Sequence, residues 1–158
     1  MNALLDNTVL SNFAVIQRAD LIELVLAADA ATTRAVLEEH AVGVETGRLP
    51  ACDWSRLAVL DVTDTAKHLY RQLRVHLGRG EAACLAVART EGHRVFTDDR
   101  DARRFAMQLQ VPISGTLGIL VLAVDKGILT LEEGDHYLGH MIEAGYRAPF
   151  ATLVTLLR

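Results

Sequence analysis

Gly80-Glu81-Ala82-Ala83-Cys84-Leu85-Ala86-Val87-Ala88 is followed within one helix length by Arg94-Val95-Phe96-Thr97-Asp98-Asp99-Arg100-Asp101-Ala102-Arg103-Arg104. The apolar spacing predicts a helix opened by an acid, a turn at Gly92, and a short buried strand that runs out into two more acids. Carboxylates thus reach one edge from two elements. An acid at a helix start is favoured by the macrodipole by a few tenths to about 1 kcal/mol. A pair of acids at the tip of an apolar strand gains nothing comparable from folding, and in parallel α/β sheets that tip is where sites form.

Working outward, Ala3-Leu4-Leu5 is an apolar run ended by Asp6, and Val9, Leu10 and Phe13 then recur at helical spacing, so a strand hands over directly to a helix. Asp6 sits at the handover, where an N-cap is one reading of it. Helices are expected over Asp20–Leu26, Thr33–Val42, Asp64–Leu77, Arg100–Leu109, Leu131–Ala144 and, rich in Leu and Val, Pro149–Arg158, docked on the core or on a second copy of the chain. A weak strand is expected around Ala30–Thr32, another over Arg56–Val62, and an edge strand over Val111–Ile113. Gly47 to Trp54 reads as a loop, and Gly115–Val124 as a buried core helix, its ten residues falling short of the roughly 20 needed to span a bilayer. Strands near positions 3, 30, 58, 95 and 112 that alternate with helices imply right-handed crossovers and a parallel sheet of four to five strands with helices on both faces.

Composition narrows the function. The 158 residues fit a single domain, half of them are hydrophobic, and the net charge of −4 excludes a broadly basic, polyanion-coating surface. Cys52 and Cys84 have no metal-ligand spacing and read as reduced packing residues. The start lacks a signal-peptide pattern, so a cytoplasmic location without membrane attachment is expected.

In such a sheet the strand tips share one edge, which places Asp6, Asp98 and Asp99 there, with Glu81 brought in by its helix. Two ionised acids about 5 Å apart repel by roughly 3 kcal/mol at an effective dielectric near 20. A hard divalent cation removes that repulsion, and acids with few His or Cys neighbours suit Mg²⁺ or Mn²⁺ rather than Zn²⁺. The chemistry implied is metal-assisted phosphodiester hydrolysis. Arg79, Arg100, Arg103 and Arg104 are the nearby cations, available either to phosphate or to local charge balance. Ser11 and Thr97 could orient a ligand carboxylate or serve as caps. His136 and His140, at i, i+4, have no third ligand nearby and read as an exposed face, and an aspartyl-phosphate phosphatase would need an acid where Thr8 stands.

The opening Leu-Asp-Asn-Thr-Val-Leu-Ser, the Ala35-Val36-Leu37-Glu38-Glu39 helix, Gly80-Glu81-Ala82-Ala83, Phe96-Thr97-Asp98-Asp99-Arg100 with Ala102-Arg103, and Gly115-Thr116-Leu117-Gly118 together resemble the PIN-domain proteins, in particular the VapC-like toxins of toxin–antitoxin pairs, from Leu4 to about Pro149. The resemblance implies a three-layer α/β/α PIN fold and Mg²⁺- or Mn²⁺-dependent cleavage of RNA, blocked by a cognate antitoxin. It places Asp6, Glu39, Glu81 and Asp98 or Asp99 as the catalytic acids, with Glu38 and Glu45 as competitors of Glu39. Many relatives carry Asp where this chain has Glu81. A homodimer is expected, and the alternative is a PIN-fold binding module that has lost efficient catalysis.

Overall fold

The computed structural model describes residues 1–157. Five parallel strands, β1 (Ala3–Leu5), β2 (Ala30–Thr33), β3 (Ala58–Leu60), β4 (Arg94–Phe96) and β5 (Ile113–Ser114), lie in the order β3-β2-β1-β4-β5. The helices are α1 (Asn7–Val15), α2 (Asp20–Leu26), α3 (Arg34–Glu45), α4 (Asp64–Leu73), α5 (Arg79–Glu91), α6 (Arg100–Gln108), α7 (Thr116–Asp125) and α8 (Leu131–Glu143). They flank an all-parallel sheet, the α/β/α layering expected of crossover connections.

The central strand β1 is buried at every position, pairing Leu4 with Ala31 on one side and with Val95 on the other. The strand expected to be weak, β2, is buried throughout although it reads Ala-Ala-Thr-Thr. Its small residues give little hydropathy signal but let α5 lie close, and Thr32 is reconciled with burial by donating its hydroxyl to Leu5 O at 2.7 Å. Helix α5 is itself buried from Ala82 to Ala88 and packs against β1, β2, β4, α3, α4 and α6. It is stopped by Gly92, whose φ of +77° is the left-handed conformation glycine adopts without a Cβ clash.

Four boundaries differ from expectation. Helix α4 ends at Leu73 rather than Leu77, because its chain tightens into 3₁₀-type turns (His76 N to Leu73 O, 3.0 Å) that turn Leu77 inward and leave Val75 exposed. The second edge strand is Ile113–Ser114 rather than Val111–Ile113, since Val111 is tied back to α6 through Ala106 O and Pro112 offers only its carbonyl, to Val95 N. Strand β3 keeps only three of its seven expected residues.

The last correction concerns Pro149–Arg158, which forms no helix over the described residues 149–157; Arg158 lies outside them. Asp135 on α8 holds this segment in turns by accepting hydrogen bonds from Leu153 N (2.7 Å) and Thr152 Oγ1 (2.8 Å), and Leu153 alone is fully buried. Its side chain lies close over Gly134, where an added Cβ would come within 2.7 Å of Leu153 Cδ1.

Leu153→Ala should therefore cost about 2–4 kcal/mol by urea unfolding, as for other buried leucines. Val154→Ala, one residue on and exposed, should stay within about 0.5 kcal/mol.

Candidate active site at the sheet edge

Asp6 follows β1 and is 1 % exposed. As N-cap of α1, its Oδ1 accepts from Thr8 N (2.9 Å), Thr8 Oγ1 (2.5 Å) and Val9 N (3.3 Å), while Oδ2 accepts from Thr97 Oγ1. Each threonine hydroxyl is used twice. Thr8 Oγ1 accepts from Asp98 N at 2.9 Å and Thr97 Oγ1 from Asp99 N at 3.1 Å, so both amides at the β4 tip are clamped onto Asp6. Thr97 was expected as an orienting group; Thr8 was not, and its signal is its place two residues after an acid that caps a helix.

Consecutive residues at a strand tip point to opposite sides, and Asp98 and Asp99 divide accordingly. Asp99 caps α6 through Ala102 N (2.8 Å). Asp98 faces the start of α7, where Oδ2 accepts from Thr116 Oγ1 (2.5 Å) and Asn12 Nδ2 (3.2 Å), and Oδ1 from Thr116 N (3.1 Å) and Tyr146 Oη (3.5 Å).

On α3, Glu39 faces the edge and accepts from Gly80 N at 2.8 Å, whereas Glu38 is half exposed and pairs with Arg79 at 2.5 Å. Glu81 lies beside Gly78. A Cβ on Gly78 would fall 2.6 Å from Glu81 Oε2 and 3.8 Å from Glu39 Oε1, and one on Gly80 would fall 2.9 Å from Glu39 Oε2. Gly78 and Gly80, which in sequence look like a poor phosphate loop, are the space into which two carboxylates fold.

The electrostatics bind Asp6, Glu39, Glu81 and Asp99 together. Burial pushes the Asp6 carboxyl up to about 7 against the pull of its Thr8, Thr97 and Val9 hydrogen bonds, and the charge on Glu81 raises it further. Glu81 is raised by burial and by the charges of Asp99 and Glu39. The Cys84 thiol, fully buried beneath, is raised well above its ordinary value by burial and by Asp6. Among the described residues no basic side chain forms an ion pair with any of the four acids.

The donor set, carboxylate oxygens without a basic partner among the described residues, fits a hard divalent ion in kind. It is not closed on one point: among the described residues no three Asp, Glu, His or Cys side chains stand in position to hold an ion as they are. An ion would have to draw the acids inward.

The expected phosphate-binding arginines separate. Arg103 Nη1 donates to Thr97 O (2.8 Å) and Ser114 O (3.2 Å), tying the tips of β4 and β5, while Arg104 pairs with Asp101 at 3.4 Å and Arg100 is exposed. Ser11 Oγ donates to Asn7 Oδ1 at 3.3 Å. Beside the tip opens a cavity of about 460 Å³ lined by Asn7, Thr8, Ser11, Arg48, Asp98 and Arg147 among others, which brings in two arginines that the sequence did not single out. A larger cavity, about 770 Å³, lies at α2 and the loop before β3, and contains none of these acids. The rings of His136 and His140 lie 4.4 Å apart, tilted by 52°, on α8, with no third ligand among the described residues.

Acids delivered by β1, β4, α3 and α5 to the C-terminal edge of a parallel sheet define a nuclease-type α/β fold. The chain belongs to the PIN-domain family, whose model (DUF3368) matches residues 2–158. PIN domains are in general nucleases that work with divalent metals. The fold is also that of PAE2754 from Pyrobaculum aerophilum, a crystal structure superposing with a TM-score of 0.56 at 18% identity over 78% of this chain and 90% of that one. No curated protein matches the sequence. Among the described residues no helix is long and apolar enough to cross a membrane.

An acid whose pKa is raised by folding holds more protons folded than unfolded between its two values. Its contribution to stability therefore declines as pH rises from about 3.8 through about 7. Asp6→Asn should accordingly raise the melting temperature of metal-free protein by a few degrees at pH 8 and by less at pH 5.

Proposed function

We propose that this PIN domain is a Mg²⁺- or Mn²⁺-dependent endoribonuclease, the toxin of a toxin–antitoxin pair, acting in the cytoplasm. One observation carries the reading: four acids from separate elements share one sheet edge with no basic partner, an arrangement that costs stability and is explained by a cation.

Asp6, Glu39, Glu81 and Asp99 are the residues that would hold the metal. When bound, it would supply a more acidic water and neutralise charge on the scissile phosphate. The chain's own groups do the rest. Thr8 and Thr97 hold the Asp6 carboxylate in one orientation by donating to both its oxygens. Arg48 and Arg147, exposed at the cavity rim, draw in the phosphate backbone, and Arg100, exposed after the tip of β4, is a further cation for it. Asp98 braces α7 against β4 and is a positioning residue rather than a ligand, which assigns the fourth acid to Asp99. Arg103 likewise holds the strand tips, which leaves only its remaining nitrogens for RNA.

Phe150 and Val154 on the C-terminal segment and Ile142 on α8 are exposed apolar side chains, and these are the residues proposed to meet a second copy of the chain. A cognate antitoxin would block the acid edge. The competing reading, a PIN-fold binding module with weak catalysis, is favoured by the acids' failure to converge on a single point.

A metal titration separates the two readings. Millimolar Mn²⁺ should raise the wild-type melting temperature, and not that of Asp6→Asn, by the mass-action stabilisation any native-state ligand gives. In RNA cleavage assays Asp6→Asn, Glu81→Gln and Asp99→Asn should each lower the rate at least about 100-fold, equivalent to roughly 3 kcal/mol, while Glu38→Gln should leave it within about twofold. Cleavage undiminished in excess EDTA would overturn the metal assignment, and a thermal shift without cleavage would favour the binding module. Sizing chromatography tests the dimer.

A further inference from the structure

Asn7, next to Asp6, is held by two hydrogen bonds that both fall on its carbonyl oxygen. Ser11 Oγ donates to Oδ1 at 3.3 Å, and His40 Nδ1 lies 2.9 Å from the same atom. A carbonyl oxygen only accepts, so the facing His40 nitrogen carries the proton, and in the neutral ring Nε2 is then a bare acceptor. Nε2 is buried and without a partner among the described residues, as is Trp54 Nε1, a group that can only donate. The two rings meet edge to face at 5.4 Å, and both line a cavity of about 270 Å³.

The consequence falls on the other half of the Asn7 amide. Nδ2 has no acceptor among the described residues, and Asn7 lines the cavity beside Asp6 whose rim carries Arg48 and Arg147. We propose that Asn7 binds substrate, its amide turned by Ser11 and His40 so that Nδ2 donates to a phosphate oxygen of an RNA strand entering that cavity, and that His40 is the positioning residue that sets this orientation. The inference rests on the ribonuclease reading above for the identity of the strand, and not for the lock itself. Turned the other way, the amide would present an acceptor to an anionic backbone, and the contact would be repulsive.

Two substitutions of His40 discriminate orientation from packing. The amide nitrogen of Asn overlays Nδ1 of histidine, whereas that of Gln overlays Nε2. His40→Asn therefore keeps the donor to Asn7, and His40→Gln removes it. In RNA cleavage, Asn7→Ala should raise KM about tenfold, the worth of one hydrogen bond to a charged group, with kcat within about threefold. His40→Gln should do the same, and His40→Asn should restore the wild-type KM. Binding of a labelled ten-nucleotide RNA in Ca²⁺, followed by anisotropy, should show the same order of affinities without any turnover. Nitrogen-15 NMR of the wild-type histidines should report His40 as the Nδ1–H tautomer.

An Nε2–H tautomer, an Asn7→Ala protein with unchanged KM and RNA affinity, or His40→Asn behaving like His40→Gln would overturn the proposal. If wild type binds the RNA but cuts none in any divalent metal, and Asn7→Ala weakens that binding, the nuclease reading fails and the Asn7 contact stands. If wild type does not bind RNA, both fail.

Discussion

Everything at the functional edge depends on one buried carboxylate being held from two sides. Asp6 accepts from the first turn of the helix it caps and from the hydroxyl of Thr97 on the neighbouring strand, and the same two threonines return to the backbone at Asp98 and Asp99. The tips of β1 and β4 are thus one hydrogen-bonded unit. A charged or half-charged group that is 1 % exposed is tolerable only because four donors converge on it. Those same donors limit how freely its oxygens can turn to a ligand. The clasp explains both why the acid is kept and why the cluster stands slightly open.

The cluster has its cost elsewhere as well. Glu39 and Glu81 fold into the space left by Gly78 and Gly80, at the start of a helix whose N-cap supplies no side-chain hydrogen bond. A serine or aspartate cap at position 78 would serve the helix by about 1 kcal/mol, but its Cβ would strike Glu81 Oε2. Helix stability has yielded to carboxylate placement, a conflict of local and functional demands of the kind found at sites.

Much of this was legible in the sequence, for reasons that differ by element. β1, β4 and α5 are dense apolar runs with an acid at one end, and both periodicity and punctuation are loud there. β2 was faint because Ala and Thr were chosen for close approach to α5 rather than for hydropathy. The C-terminal segment misled because Leu and Val at near-helical spacing say nothing of Asp135, a residue distant in sequence whose carboxylate takes the segment's backbone and side-chain donors. Asp6, Glu81 and the Asp98–Asp99 pair were visible as unexplained acids. Thr8, His40, Arg48 and Arg147 were not, since each acquires its meaning only from a partner that the fold brings to it.

The Asp98–Asp99 pair shows how far sequence can go and where geometry must take over. Two identical residues in succession are indistinguishable as letters, yet alternation at a strand tip sends them to opposite sides. One is saturated by Thr116, Asn12 and Tyr146 and secures α7, the helix that closes that side of the edge. The other keeps one oxygen on its own helix cap, and its charge bears on Glu81. The pair is therefore divided between bracing α7 and adding charge to the acid edge. Either residue alone would leave the site without its fourth carboxylate or without the helix that walls it.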